Sequence, residues 1–240
     1  MFYANNDFWS EKGADFVSTY LELIGVPSSK DEIYELIAEE EYLDEEIASS
    51  FEPIVINLIK AWSVIREIVL QVKDYEKKHE KRVSFLIIDL YKKLYMCLIG
   101  SNEYLKLFEG ETEQSQEFLS KLEKIVSKMS TVETFDSLVE YLLAAVYDFT
   151  INNYLGERTF RYFFWMVESV MISRGFGLAV FEDLHEQEEI KKLHAKTISF
   201  ANQNSSKNFA LSKDFRKIVS MFKDKIEQFS IHEKEKYLNV

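Results

Sequence analysis

Apolar residues return along most of this chain at steps of three and four, the period that stacks side chains on one face of an α-helix. Phe16, Tyr20, Leu23 and Ile24 form the first stripe, in a helix expected over residues 7–24 and ended by Gly25-Val26-Pro27-Ser28. Ser29 and Glu32 stand at capping-box spacing, where hydroxyl and carboxylate satisfy unpaired amides reciprocally. They predict a short acidic helix to about Glu41, followed by another short piece over residues 44–51. Pro53 suits the first turn of a long helix, because its missing N–H has no partner there in any case. The stripe of that helix is Ile54, Leu58, Trp62, Ile65, Val69 and Val72, and it dissolves into the charged run 73–82.

Val83, Leu86, Leu90, Leu94 and Cys97 make the next stripe, which Gly100 stops. A short helix through Tyr104 and Phe108 leads to Gly110, and Phe118, Leu122, Ile125 and Met129 mark another. Ser130 and Glu133 offer a second capping box ahead of Phe135, Leu138, Leu142, Ala145 and Phe149. Residues 152–156 break the pattern, and 157–174 is the most apolar segment of the chain. A helix hydrophobic nearly all round belongs at the centre of a fold. Gly175 and Gly177 end it, a further helix is expected from Leu178 to about Ala201, and 202–208 reads as a polar loop. Ser212 starts a last amphipathic helix through Phe215, Ile218, Val219, Phe222, Ile226 and Phe229, with 230–240 expected to fray. No repeat of solenoid length is visible. The expectation is an all-α, multi-helix bundle of roughly eight to ten helices with a buried central helix. Residues 1–52 read as an N-terminal helical extension packed on a main bundle over 53–240.

Composition strengthens this picture. The 240 residues contain 7 glycines and 2 prolines, where average usage gives about 17 and about 12. Sheets and long loops draw on both residue types for turns, whereas helix interiors exclude them. Net charge is −12, a field that repels phosphate backbones and excludes general nucleic-acid binding. It suits a solvated acidic surface or a basic protein partner. The single cysteine, Cys97, lies in an apolar run, so neither an internal disulfide nor a cysteine-based zinc site is expected. Residues 1–7 lack a basic stretch followed by an apolar one, and no apolar run reaches the ~20 residues of a membrane span. These features place the chain in the cytoplasm, without a membrane. Lysine outnumbers arginine, and Ile, Asn, Phe and Tyr are frequent, a usage that points to an AT-rich bacterial or phage genome.

The anomaly is charge within the most apolar helix. Arg158, Arg161 and Glu168 sit among residues that should be buried, and Arg161 and Glu168 lie two turns apart on one face. A buried guanidinium needs a partner, and Asp148, Glu157 and Glu168 are the nearby acids. The cluster reads either as a structural ion-pair network or as a pocket for an anion such as a phosphate. The stretch Asn153-Tyr154-Leu155-Gly156-Glu157-Arg158-Thr159-Phe160-Arg161 resembles the loop of Fic-type nucleotidyl transferases. That loop reads His-Pro-Phe-x-Asp/Glu-Gly-Asn-Gly-Arg and cradles a nucleotide's phosphates at a helix start. Glu157 and Arg161 match it, but Asn153 stands where the histidine base belongs and the glycines are missing. The resemblance therefore implies at most a nucleotide-binding loop without the usual activity.

Other chemistry is sparse. Glu76 with His79 and Glu182 with His185 have the Glu-x-x-His spacing of di-iron helices, but charged flanks such as 77–82 belong to solvent rather than to a metal-binding core, so no metal is expected. No phosphate-binding glycine loop, nucleophile elbow or His-Glu-x-x-His occurs, no cofactor is implied, and no arginine precedes histidine at the spacing of helical ribonucleases. The reading is a non-catalytic interaction or regulatory protein acting on a protein partner through acidic helical surfaces. The alternative is a small-molecule or nucleotide-binding helical enzyme with an anion pocket at Arg158 and Arg161, joined by Asn153, Glu157 and Glu168. A third class is a homo-oligomer paired through an apolar helix face.

Overall fold

The segment richest in large apolar residues forms the helix around which the others pack. The computed structural model describes residues 1–80, 87–130, 134–204 and 208–238. Its ten α-helices are α1 (Asn6–Leu23), α2 (Lys30–Ala38), α3 (Glu45–Ala48), α4 (Pro53–His79), α5 (Ile88–Ile99), α6 (Glu113–Val126), α7 (Phe135–Ile151), α8 (Thr159–Ser173), α9 (Leu184–Asn204) and α10 (Lys213–Gln228). The chain is an all-α multi-helix bundle. In α8 every residue from Tyr162 to Ser173 is buried, and α4, α5, α6 and α7 pack against it. Phe163 stacks on Phe149 of α7 at 3.8 Å, while Phe164 meets Phe222 of α10 edge-on at 5.8 Å. No helix of the described residues is long and apolar enough to cross a membrane.

Helix α1 enters the same core. Phe8, Trp9, Phe16 and Val17 are all buried, and Phe16 packs on Trp62 of α4 and Trp165 of α8. The indole of Trp62 donates to the Trp9 carbonyl at 2.8 Å, and the Trp9 indole donates to the Tyr3 carbonyl at 2.8 Å. A buried indole N–H left unpaired would be costly, so the first bond sets how closely α1 and α4 approach, and the second ties the N-terminal turn to α1. Gly13 permits that approach: a Cβ there would stand 2.3 Å from Trp62 Nε1.

Several boundaries differ from the periodicity. Helix α8 begins at Thr159, two residues after the expected start, because Thr159 Oγ1 accepts from the Leu155 amide and donates to the Gly156 carbonyl. These bonds fix the short Tyr154–Glu157 segment ahead of the helix, within which Gly156 turns the chain at φ 65°. Helix α9 begins at Leu184, not Leu178, since the Asp183 carboxylate accepts from the amides of His185 and Glu186 as an N-cap. Residues 178–183 run without helix, with Leu178, Ala179 and Phe181 buried. The cap of α7 is Thr134, whose hydroxyl accepts from the Ser137 amide, rather than Ser130; its expected partner Glu133 lies outside the described residues. So do Val83 and Leu86 of the expected α5 stripe and residues 205–207 of the expected polar loop, while α9 runs on to Asn204. The expected fraying after Phe229 is replaced by a π turn (Phe229–Glu233) and a 3-10 turn (Lys234–Tyr237). Tyr237 is buried there against Phe8 at 5.6 Å.

Replacing Gly13 with alanine forces α1 and α4 apart and destabilises the protein by about 1–3 kcal/mol, the usual cost of overpacking a tight core. Urea denaturation should show a lower midpoint with an unchanged slope; a midpoint at or above the wild-type value would refute the close approach.

Candidate functional site

Arg158 and Arg161 act at the end of α5. That helix stops at Gly100, in the left-handed region, and leaves its last carbonyls without helical partners. The Arg158 guanidinium donates to the Ile99 carbonyl at 2.6 Å, and Arg161 donates to the Leu98 carbonyl at 3.2 Å. Two cations at a helix C-terminus also meet the negative end of its dipole. Arg161 Nε donates to the Tyr20 hydroxyl at 2.9 Å, and the guanidinium lies over the Tyr20 ring. Arg161 thus joins α1, α5 and α8. Among the described residues neither arginine forms an ion pair; Asp148 lies 3.9 Å from Lys121 instead, and Glu157 is exposed.

Glu168 stands apart from both arginines in its chemistry. It is 3% exposed, and its Oε2 has no hydrogen-bond partner among the described residues. Burial without a counter-charge pushes its carboxyl from 4.5 up to about 8, so it is mostly protonated at neutral pH. The five residues singled out from the sequence therefore divide. Asn153, Glu157 and Arg158 line a depression of about 410 Å³ with Ser101, Glu103 and Tyr104. Arg161 and Glu168 are not among its lining residues.

A second charged site lies on α1, where the periodicity of the chain does not mark it. Lys12 and Asp15, one turn apart, are 9% and 6% exposed and pair at 2.5 Å. Lys12 also pairs with Glu233 of the π turn, and Asp15 with Lys30 at the start of α2. Lys30 reaches Glu182 at 3.1 Å. Burial alone would lower the Lys12 pKa, but hydrogen bonds and charge from Asp15 and Glu233 outweigh it and hold the ammonium above its ordinary 10.5. Lys30 behaves likewise through Asp15 and Glu182. Three depressions of about 420, 110 and 450 Å³ surround this junction: Lys12 and Asp15 line the second and third, and Lys30 lines the first and third. The available signal was Glu11-Lys12-Gly13-Ala14-Asp15, charge and small residues set between Trp9 and Phe16 in a helix buried on most sides.

The described residues contain no group of three His, Cys, Asp or Glu side chains placed to hold a metal ion. Glu76 pairs with Lys73 at 2.7 Å, and His79 Nδ1 lies 2.9 Å from the Tyr75 carbonyl. No protein-family model matches the chain, and no curated protein or solved structure matches it either.

Two outcomes follow from this chemistry. Glu168 keeps its proton in the fold and releases it on unfolding, so between pH 4.5 and about 8 the native state binds more protons and stability declines as pH rises. Glu168→Gln removes that decline: the variant should match wild type near pH 4 and exceed it above pH 8 by on the order of a few kcal/mol. Superimposable stability–pH curves would contradict the buried, unpaired carboxyl. Arg161→Ala should cost about 2–3 kcal/mol through lost charged hydrogen bonds and packing, read as a lower melting temperature with no ligand added.

Proposed function

We propose that this chain is a non-catalytic interaction protein, regulatory in character, that binds a basic protein partner through the acidic lobe at residues 31–52. One observation carries the reading. Between Lys30 and Lys60 there are ten acidic residues, Asp31, Glu32, Glu35, Glu39, Glu40, Glu41, Asp44, Glu45, Glu46 and Glu52, and no basic one. None of them is ion-paired among the described residues, in contrast to Glu11, Asp15, Glu182 and Glu233.

The lobe is held firmly. Ile33, Leu36, Ile37 and Tyr42 are buried, and the Tyr42 hydroxyl donates to Ser63 of α4 at 3.1 Å. Glu40, at φ 56°, turns the chain from α2 towards α3, and Leu43, 63% exposed, stands at that turn. Carboxylates around an exposed leucine supply both long-range steering and an apolar contact for a partner's surface. A rigid presentation also lowers the ordering cost of binding. Composition adds the bacterial or phage setting and a cytoplasmic location to the same proposal.

A second reading, a small anion held beside Arg158, draws on the depression that Arg158 shares with Asn153 and Glu157. Native mass spectrometry of the protein taken gently from its own host separates the two. A protein of defined stoichiometry supports the lobe, whereas a retained small mass supports the depression. With that partner in hand, the variant Glu39→Lys, Glu40→Lys, Glu45→Lys, Glu46→Lys should bind at least about tenfold more weakly at low ionic strength, and the loss should shrink with added salt. Unchanged affinity at low salt would sink the lobe as the binding surface.

A further inference from the structure

We propose that residues 230–237 form an ion-latched lid over the Lys12–Asp15 cleft, hinged at the π turn that follows α10. Phe229 is the fixed end. Its ring packs on Phe2 and Phe8 at 5.5 and 5.9 Å, and it occupies the space left by Gly177, where a Cβ would stand 2.0 Å from the Phe229 ring. Beyond Phe229 the backbone leaves α-helical bonding for a π turn and then a 3-10 turn. Both are short, poorly propagating geometries, and π turns recur where function needs local adjustment.

The lid closes mainly through charge. Glu233 pairs with Lys12, Lys236 pairs with Glu11, the Tyr237 hydroxyl donates to Glu11 at 2.7 Å, and Lys234 donates to the Gly175 carbonyl at 2.7 Å. The side chains of Glu233 and Lys236 are 43% and 61% exposed, while their partners Lys12 and Glu11 are 11% and 31% exposed. Water and salt therefore reach each pair from the lid side and screen it in part. Tyr237 is the one buried hydrophobic residue of the segment, while Ile231 and Leu238 point to solvent. A segment with a single apolar anchor and half-exposed ion pairs belongs to the less stable units of a fold and opens without global unfolding.

What lies beneath makes the opening consequential. Glu233 lines both the 110 Å³ and the 450 Å³ depression, and Tyr237 and Lys236 line the larger one. Lifting the segment removes Glu233 from between them, merges the two and uncovers Lys12, leaving its ammonium beside Asp15. The open cleft then offers a cation and an anion side by side on its wall, which fits a small zwitterionic or polar ligand.

Hydrogen exchange of the full chain, read by peptide mass spectrometry, tests the lid together with acetylation of Lys12 by an N-hydroxysuccinimide ester. Raising NaCl from about 0.02 M to about 0.5 M should speed amide exchange over 230–238 by roughly fivefold while α8 stays protected. Glu11→Gln should produce the same acceleration at low salt, and Lys12 acetylation should rise in step in both cases. Exchange over 230–238 that follows α8 and ignores salt overturns the latch. Faster exchange without faster Lys12 acetylation overturns the lid, because the segment then frays without uncovering the cleft. The wild-type salt response decides the matter by itself should Glu11→Gln fold poorly.

Discussion

The indole of Trp62 reaches the carbonyl of Trp9 only because nothing projects from Gly13 between them. That bond brings α1 and α4 into close contact and places Phe16 against both Trp62 and Trp165. Much of the remaining architecture inherits its position from this crossing. Helix α2 packs on α1 and carries Lys30 to Asp15, while the final turns of the chain rest on Phe2, Phe8 and Glu11 from the same N-terminal elements. A close-packed interior transmits such a constraint because its side chains have no free volume into which to relax.

Charge is distributed by the same geometry. Where acidic residues gather at the buried part of α1 and the closing turns, lysines meet them, as in Lys12 with Asp15 and Glu233 or Lys236 with Glu11. Desolvation makes an unpaired ion there too costly, so burial and pairing go together. Glu168 meets the same constraint differently, by holding its proton. The lobe at 31–52 is free of it: its carboxylates stay in solvent while Ile33, Leu36 and Tyr42 are buried, and much of the chain's negative charge gathers there.

The arginines show how one sequence feature resolves into two local roles. Arg158 and Arg161 are one turn apart and were indistinguishable as a pair. In the fold both close the carbonyl end of α5, yet Arg161 is half-buried on Tyr20 while Arg158 borders an open depression. Their acceptors are backbone carbonyls more than 50 residues away in the chain. No inspection of neighbouring acids anticipates such a partner, because a helix end is a property of backbone geometry rather than of residue type.

Sequence by itself determined the helical class, the order of most elements, Pro53 at a helix start, the Ser29 cap, the start of the last helix at Ser212 and the central place of α8. Each of these depends on local periodicity, on caps within three residues or on the shortage of Gly and Pro. Tertiary structure alone decided that Asp183 rather than Leu178 opens α9, that Tyr237 returns to the core, and that Lys12 and Asp15 are buried together. In the pattern of α1 those two look like an ordinary solvent-facing pair one turn apart. Their burial comes from Lys30, Glu182 and Glu233 arriving from distant parts of the chain, and desolvation depends on what surrounds a side chain in space, which periodicity along the chain does not encode.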